Sequence, residues 1–473
     1  MTARVLRVTG ASAVWSPGWS TGWEEPTTRA TTTTTRSATS LTCADGRVVE
    51  EAAAGSTDRV AAAMETSAET LDARGGVITP GLVNAHHHLL QSAFRTLPGT
   101  RGVPMAQWLA TMRAAYVSAA VDPELVAAAA RVAVAESLLC GVTTVGDHHL
   151  TWPPGQDPVA MAGAAYDAAG SLGARLAFVR GTAGCDPDAA AESVTAILAA
   201  HLADAGADGA AGGVSADGLR QIAVGPSGVH ADGPETFAVL REVAARHGLR
   251  RRTQSNEQVD VERAQREYGR RPIELLAEWG WLEPDVTLAH LCDVTPDEVA
   301  ALARAGVSAT HAPACDLPMG WGIAPVAGLL DAGVPVGLGT SGGGSNDAGH
   351  LIADARLAMQ VAPLVGRPLD ALEVLSMATA GSADGLGRPE LGRLDPGCAA
   401  DFAVWDVSGV ADAGVADPVR GLLWASPGRR PRHVVVGGRV VVRDHELVLA
   451  DEQDLSAELR RQCRVRGIGG AGA

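Results

Sequence analysis

The stretch Gly76-Val-Ile-Thr-Pro-Gly-Leu-Val-Asn-Ala-His-His-His88 decides how the rest of the chain is read. A β-branched apolar run breaks at Pro80-Gly81, resumes, and delivers three histidines. On an extended segment His86 and His88 point to one side and His87 to the other. Two converging imidazoles are natural ligands for a divalent transition metal, provided that they end a buried strand rather than decorate a solvated loop. The apolar run in front of them favours the buried strand.

From Val77 onward strand-like and helix-like segments alternate, the signature of a parallel sheet covered by helices. Asp122-Pro123-Glu124 supplies a cap, a first-turn proline and a first-turn acid for a helix that Gly141 stops. Strand two ends at Asp147-His148-His149, strand three is Arg175–Arg180, and strand four is Gln221–Val224. Strand five ends at Thr253-Gln-Ser-Asn-Glu257, strand six at His290 and strand seven at His311. Strand eight, Val334–Gly339, runs into Thr340-Ser341 and a three-glycine turn. Eight such repeats predict an α/β fold, a (β/α)8 TIM-type barrel at residues 77–385 with its functional groups at the C-terminal strand ends. Residues 1–76 and 386–453 have β character and predict one composite β-sandwich built from both chain ends. Residues 454–473 read as a charged helix and a mobile Gly/Ala tail, and the threonine-rich patch Thr27–Thr35 as an exposed β edge or a disordered loop.

The formal net charge of −16 opposes binding to nucleic acid, whose phosphates reward clustered Lys and Arg, and favours a small molecule as partner. Seven scattered cysteines without a CxxC pair argue against a Cys-based zinc site and a disulfide framework, and predict a cytoplasmic home. No apolar run approaches the roughly 18 residues that membrane insertion needs.

Pro80-Gly-Leu-Val-Asn-Ala-His-His-His88, Ala289-His290, Gly337-Leu-Gly-Thr-Ser-Gly-Gly-Gly-Ser-Asn-Asp347 and Gly392-Arg-Leu-Asp-Pro-Gly397 with Ala400-Asp401 follow the order of the amidohydrolase superfamily. The chain resembles that family over nearly its whole length. His86-His-His-Leu-Leu-Gln91, Asp147-His-His149, Gly322-Ile-Ala-Pro325 and Ser345-Asn-Asp347 are most similar to its 8-oxoguanine deaminase and hydroxyatrazine aminohydrolase branch. The resemblance implies a homo-oligomer that hydrolyses a C–N bond of a planar N-heterocycle, such as a purine, pterin or triazine, with one zinc or iron. It implies that His86 and His88 hold the metal, that Glu257 shuttles protons, and that His290 polarises the substrate or orients the water. Gln91 is implied to hydrogen-bond the ring edge.

Two ligand positions depart from the family pattern: Gln254 stands for the strand-five His and Ser341 for the strand-eight Asp. A carboxamide oxygen and a hydroxyl are poorer zinc donors than imidazole and carboxylate. The metal is therefore expected to be weakened or absent unless His148, His149, His230 or His311 replaces the missing ligands. Gln254 and Ser341 then join His148 and His149 as candidate substrate contacts. A slip in the alignment of the arginine-rich strand five would explain the same mismatch.

Each candidate also has a structural reading. Glu257 fits a helix-start acid, His290 a core histidine, one of His148 and His149 a helix cap, and Trp108, Trp152 or Trp321 plain packing rather than a stacking face. The three glycines read as a flexible turn. Three functions remain open: a metal-dependent aminohydrolase, a metal-free acid–base enzyme for ring opening, cyclisation, elimination or lactone hydrolysis, and a non-catalytic binding subunit.

Overall fold

The computed structural model describes residues 4–20, 34–35, 39–50, 68–203 and 213–469. The expectations for Thr27–Thr33 and for the last four residues fall outside the described residues.

Strand one is Leu82–His88, strand two Val142–His149, strand three Arg175–Thr182 and strand four Arg220–Pro226. Strand five is Arg250–Ser255, strand six Val286–His290 and strand seven Ser308–His311. All neighbours pair in parallel. Strand eight is split: Val336–Leu338 pairs with strand seven, and Ser341–Gly342 pairs with strand one, which closes the ring. Helices cover the outside, so both faces of strands one to three are buried throughout. The expected TIM-type barrel is the fold.

Caps set where the outer helices begin. Asp122, Asp157 and Asp186 each accept a hydrogen bond from a first-turn N–H and precede a proline, and Thr295 with Glu298 forms a capping box. For Asp157, Asp186 and Thr295 these signals lie four to eight residues after the preceding strand ends, so they keep those loops short.

Val77–Pro80 lies outside the barrel. It pairs antiparallel with Phe402–Trp405 in a six-stranded sheet that draws on both chain ends, so the barrel proper starts at Leu82. A four-stranded sheet of Arg47–Val48, Leu41–Ala44, Val5–Thr9 and Glu69–Asp72 packs on it through Leu6, Val8, Leu71, Phe402, Val404 and Val435. Two of the contacts between this sandwich and the barrel are specific. Asp401 takes a buried bidentate pair from Arg175 of strand three, at 2.7 and 2.9 Å. Trp405 is fully buried, donates from Nε1 to Thr79 Oγ1 at 2.8 Å, and lies against Gly141. Gly141 has φ +84°, and a Cβ there would stand 2.5 Å from the indole, so glycine is required on both counts. The last helix, Glu452–Val465, packs on Pro123–Leu139 and is tied to it by Gln462 to Glu124 at 2.7 Å.

Trp405→Ala is expected to destabilise the chain by about 3–5 kcal/mol. The readout is the urea midpoint followed by circular dichroism; an unchanged midpoint would deny Trp405 this joining role.

Candidate active site

Strand ends bring four imidazoles around one point. The His86 ring lies 4.9 Å from His88, 5.9 Å from His148 and 5.1 Å from His290, centroid to centroid, and all four are buried. The His88 Nδ1–H donates to the His148 carbonyl at 2.7 Å, which fixes the tautomer and leaves Nε2 as the lone-pair nitrogen. His86 Nε2 has no partner among the described residues. Burial, reinforced by the neighbouring imidazoles, lowers His88 to about 4 and His148 to about 3. At neutral pH these rings are uncharged, the form that binds a metal. His148 donates from Nε2 to the Gly225 carbonyl at 3.0 Å and so forms a wall of the pocket.

His149 turns the other way. It packs between Trp152 and Phe178, at 4.8 and 5.5 Å, and donates to the Thr151 carbonyl. The structure does not bring it into the cluster, as strand alternation requires once His148 faces inward. Asp147, also outward, accepts from Leu89 N at 2.9 Å and holds the turn after His88; burial pushes its carboxyl up to about 7.

Gln254 is oriented from strand four. Its Nε2 donates to the Ser227 carbonyl at 2.9 Å and to the Ser227 hydroxyl at 3.1 Å, which leaves Oε1 facing His290 Nε2 at 3.2 Å and within reach of His88. Ser341 is buried in the left-handed region, φ +55°, in register with His87. Toward a divalent ion the pocket thus offers two neutral imidazoles, one carboxamide oxygen and the carboxylate of Glu257, both of whose oxygens lack a hydrogen-bond partner among the described residues. That donor set is chemically suited to one ion. Among the described residues, the tight three-donor groups are His290, Cys315 and Asp316, and His230, Glu257 and Asp260; neither includes His86 or His88. His311 reaches Asp316 at 3.8 Å, not the imidazole pair.

Glu257 sits 3.3 Å from His290 Nε2, fully buried. Burial raises its carboxyl to about 7 against the lowering charge of His290. For His290 burial alone would lower the pKa, but Asp316, hydrogen-bonded to Nδ1 at 2.6 Å, and Glu257 together outweigh it and raise the value. His230 is likewise held up, to about 9 against burial, by Asp260 at 2.7 Å, and its Nε2 lies 3.3 Å from the Ser227 hydroxyl.

The three glycines form a packed turn rather than a flexible one. Gly344 N donates to Gln91 Oε1 at 3.0 Å, and the Gly344 carbonyl accepts from Trp108 Nε1 at 3.0 Å and Arg101 at 2.8 Å. A Cβ on Gly342 would stand 2.0 Å from Gln91 Oε1. Trp321 is the tryptophan beside the site, 5.2 Å edge-on to His290. Nothing in the sequence marks Asp316, Ser227 or Asp260 as site residues. Asp316 lies in a four-residue helix after strand seven, Pro313–Asp316, and no spacing marks it; Asp260 faces inward from an exposed, charged helix.

Residues 77–441 match the Amidohydrolase family, and the chain belongs to it. It is 35% identical to the 8-oxoguanine deaminase of Pseudomonas aeruginosa over 415 residues, 85% of this chain and 89% of that protein. It is 33% identical to a 5-methylthioadenosine/S-adenosylhomocysteine deaminase of Natronomonas pharaonis, over 88% of this chain and 93% of the relative. Among solved structures, the atrazine chlorohydrolase of Arthrobacter aurescens TC1 complexed with zinc superposes with a TM-score of 0.82 at 32% identity, over 97% of this chain and 99% of that one. The protein is accordingly a hydrolase of carbon–nitrogen bonds, and family and zinc-bound neighbour together point to a divalent metal.

The raised pKa of Asp147 means that the folded chain keeps a proton that the unfolded chain loses between about pH 4 and 7, so its contribution to stability falls as pH rises through that window. Asp147→Asn keeps the Leu89 contact and removes the titration. Its Tm should gain a few degrees on the native protein at pH 8 relative to pH 5; calorimetry at the two pH values checks this, and parallel shifts would refute it.

Proposed function

We propose that the protein is an aminohydrolase that removes an exocyclic amino group from a flat, nitrogen-rich ring of the oxopurine, pterin or triazine kind. The relatives' names, 8-oxoguanine deaminase and isoxanthopterin deaminase among them, support that substrate class. The observation that carries the reading is Glu257: a buried carboxylate whose two oxygens lack a hydrogen-bond partner among the described residues, 3.3 Å from the Nε2 of a histidine whose other nitrogen is held by Asp316.

His86 and His88 are the residues that would hold a divalent ion, and such an ion would supply acidification of a water for attack on the ring carbon. Glu257 is placed to accept a proton from the attacking water and to return it to the departing amine. In a site where Ser341 replaces a second carboxylate, both proton steps fall to this one residue. His290, charged through Asp316, offers Nε2–H to the ring oxygen or nitrogen that gathers negative charge. Gln91, fixed by the strand-eight turn, meets the ring edge, while His148 and Trp321 bound the slot.

Gln254 and Ser341 also set the metal affinity in this proposal. Loss of only an outer partner typically weakens a metal site by about 10- to 100-fold, and here two ligands are replaced. The orientation of Gln254 supports a real substitution, because its oxygen faces His290 and lies within reach of His88. A metal-free acid–base reaction by Glu257 and His290 is the second reading, favoured by the direct Gln254–His290 contact; full turnover in chelator-treated protein would establish it. A homo-oligomeric, cytoplasmic protein completes the proposal, with sedimentation velocity as the check on assembly.

Ammonia release from a panel of aminopurines, pterins and aminotriazines with zinc supplied tests the proposal, and silence across the panel would sink it. Glu257→Gln should lower kcat/KM by about 10²- to 10⁴-fold. Since Glu257 acts ionised, the native rate should decline as pH drops below about 7, and that acid limb should vanish in the variant. In a separate zinc titration, Gln254→His with Ser341→Asp should bind at least ~100-fold tighter than the native chain.

A further inference from the structure

Strand five carries Arg250, Arg251 and Arg252 in succession, and alternation sends them to different places. Arg251 turns outward to Asp285 and Glu283. Arg252 turns inward with Gln254 and enters the barrel, 3% exposed. Its guanidinium donates to the Ala85 carbonyl and, at 3.2 Å, to the Gly385 carbonyl, and lies 3.5 Å from Thr310 Oγ1. Every one of these partners is neutral. Among the described residues no carboxylate lies within ion-pair distance of Arg252, whereas its neighbour on the outer face has two.

A buried charge without a counter-ion is costly, so an apolar residue would serve the barrel core better. The location gives the charge a use. Ala85 immediately precedes His86, so the guanidinium is bonded to the same backbone segment from which the imidazole pair projects. We infer that Arg252 is a buried cation at the pocket floor whose positive charge weakens the hold of His86 and His88 on a divalent ion. Like charges in a dry interior repel strongly, and the carboxylate that would offset the repulsion is replaced by Ser341. Arg252 and Ser341 therefore act in the same direction, one by adding positive charge and the other by withholding negative charge. The inference rests on the proposed reading in which the pocket takes one divalent ion.

The test is the zinc dissociation constant of the full chain, measured by competition with a chromophoric chelator, for the native protein, Arg252→Gln and Arg252→Lys. The glutamine is neutral and keeps a donor for the Ala85 carbonyl; the lysine keeps the charge. Arg252→Gln should bind zinc about tenfold tighter or more, and Arg252→Lys within about threefold of native. Should the glutamine variant fail to fold, Arg252→Met carries the same comparison. Equal affinity in the native and neutral variants would overturn the inference and leave the metal reading standing. An equal gain in the lysine variant would also overturn it, by showing that shape rather than charge matters. No zinc binding in any of them would overturn the metal reading, and the inference with it.

Discussion

The barrel closes at one buried seam, and the geometry of the site follows from it. Asn84 Nδ2 donates to Thr340 Oγ1 at 2.8 Å, and Thr340 N donates back to Asn84 Oδ1 at 3.2 Å, both side chains almost wholly buried. Neither bond can break without stranding a polar group in the interior, at a cost of about 1–3 kcal/mol each. The seam fixes strand one against the broken end of strand eight. His86 and His88 then face inward two and four residues beyond Asn84, and Ser341 is turned into the left-handed region beside His87. What strand eight can offer the metal is set by this closure and by the single residue that follows it.

Charge is distributed around that seam in an unusual way. Three imidazoles are held neutral by burial, the pKa of a fourth, His290, is raised by Asp316 and Glu257 against burial, and one carboxylate, Glu257, stands without a hydrogen-bond partner among the described residues. Beneath them lies Arg252 with only neutral contacts. The arrangement keeps the proton-carrying pair intact while the donors for an ion are reduced to two imidazoles and weaker oxygens. Chemistry that depends on Glu257 and His290 is well supplied, and ion binding is where the chain has changed.

Much of this was legible in the sequence because it depends on local rules. Helix starts are punctuated by Asp-Pro caps, and the strand-one and strand-six histidines sit where their runs terminate, so the barrel and the composite sandwich could be placed, while Glu257 and His290 are singled out by the resemblance to the family. What could not be read depends on contacts distant in the chain. The facing of the Gln254 amide is decided by Ser227, and the orientation of the His290 ring by Asp316 in a later loop. The parity of His148 and His149 depends on which face of strand two turns inward, which no periodicity reveals when both faces are buried. Three glycines suggested mobility, whereas their lack of side chains serves the close approach of Gln91.

The most direct measurement is the metal content of the purified protein by elemental analysis, before and after dialysis against a chelator, with ammonia release followed as zinc is restored. The account predicts a metal that is substoichiometric after dialysis and turnover that rises with added zinc. A stoichiometric metal that survives the chelator would contradict it.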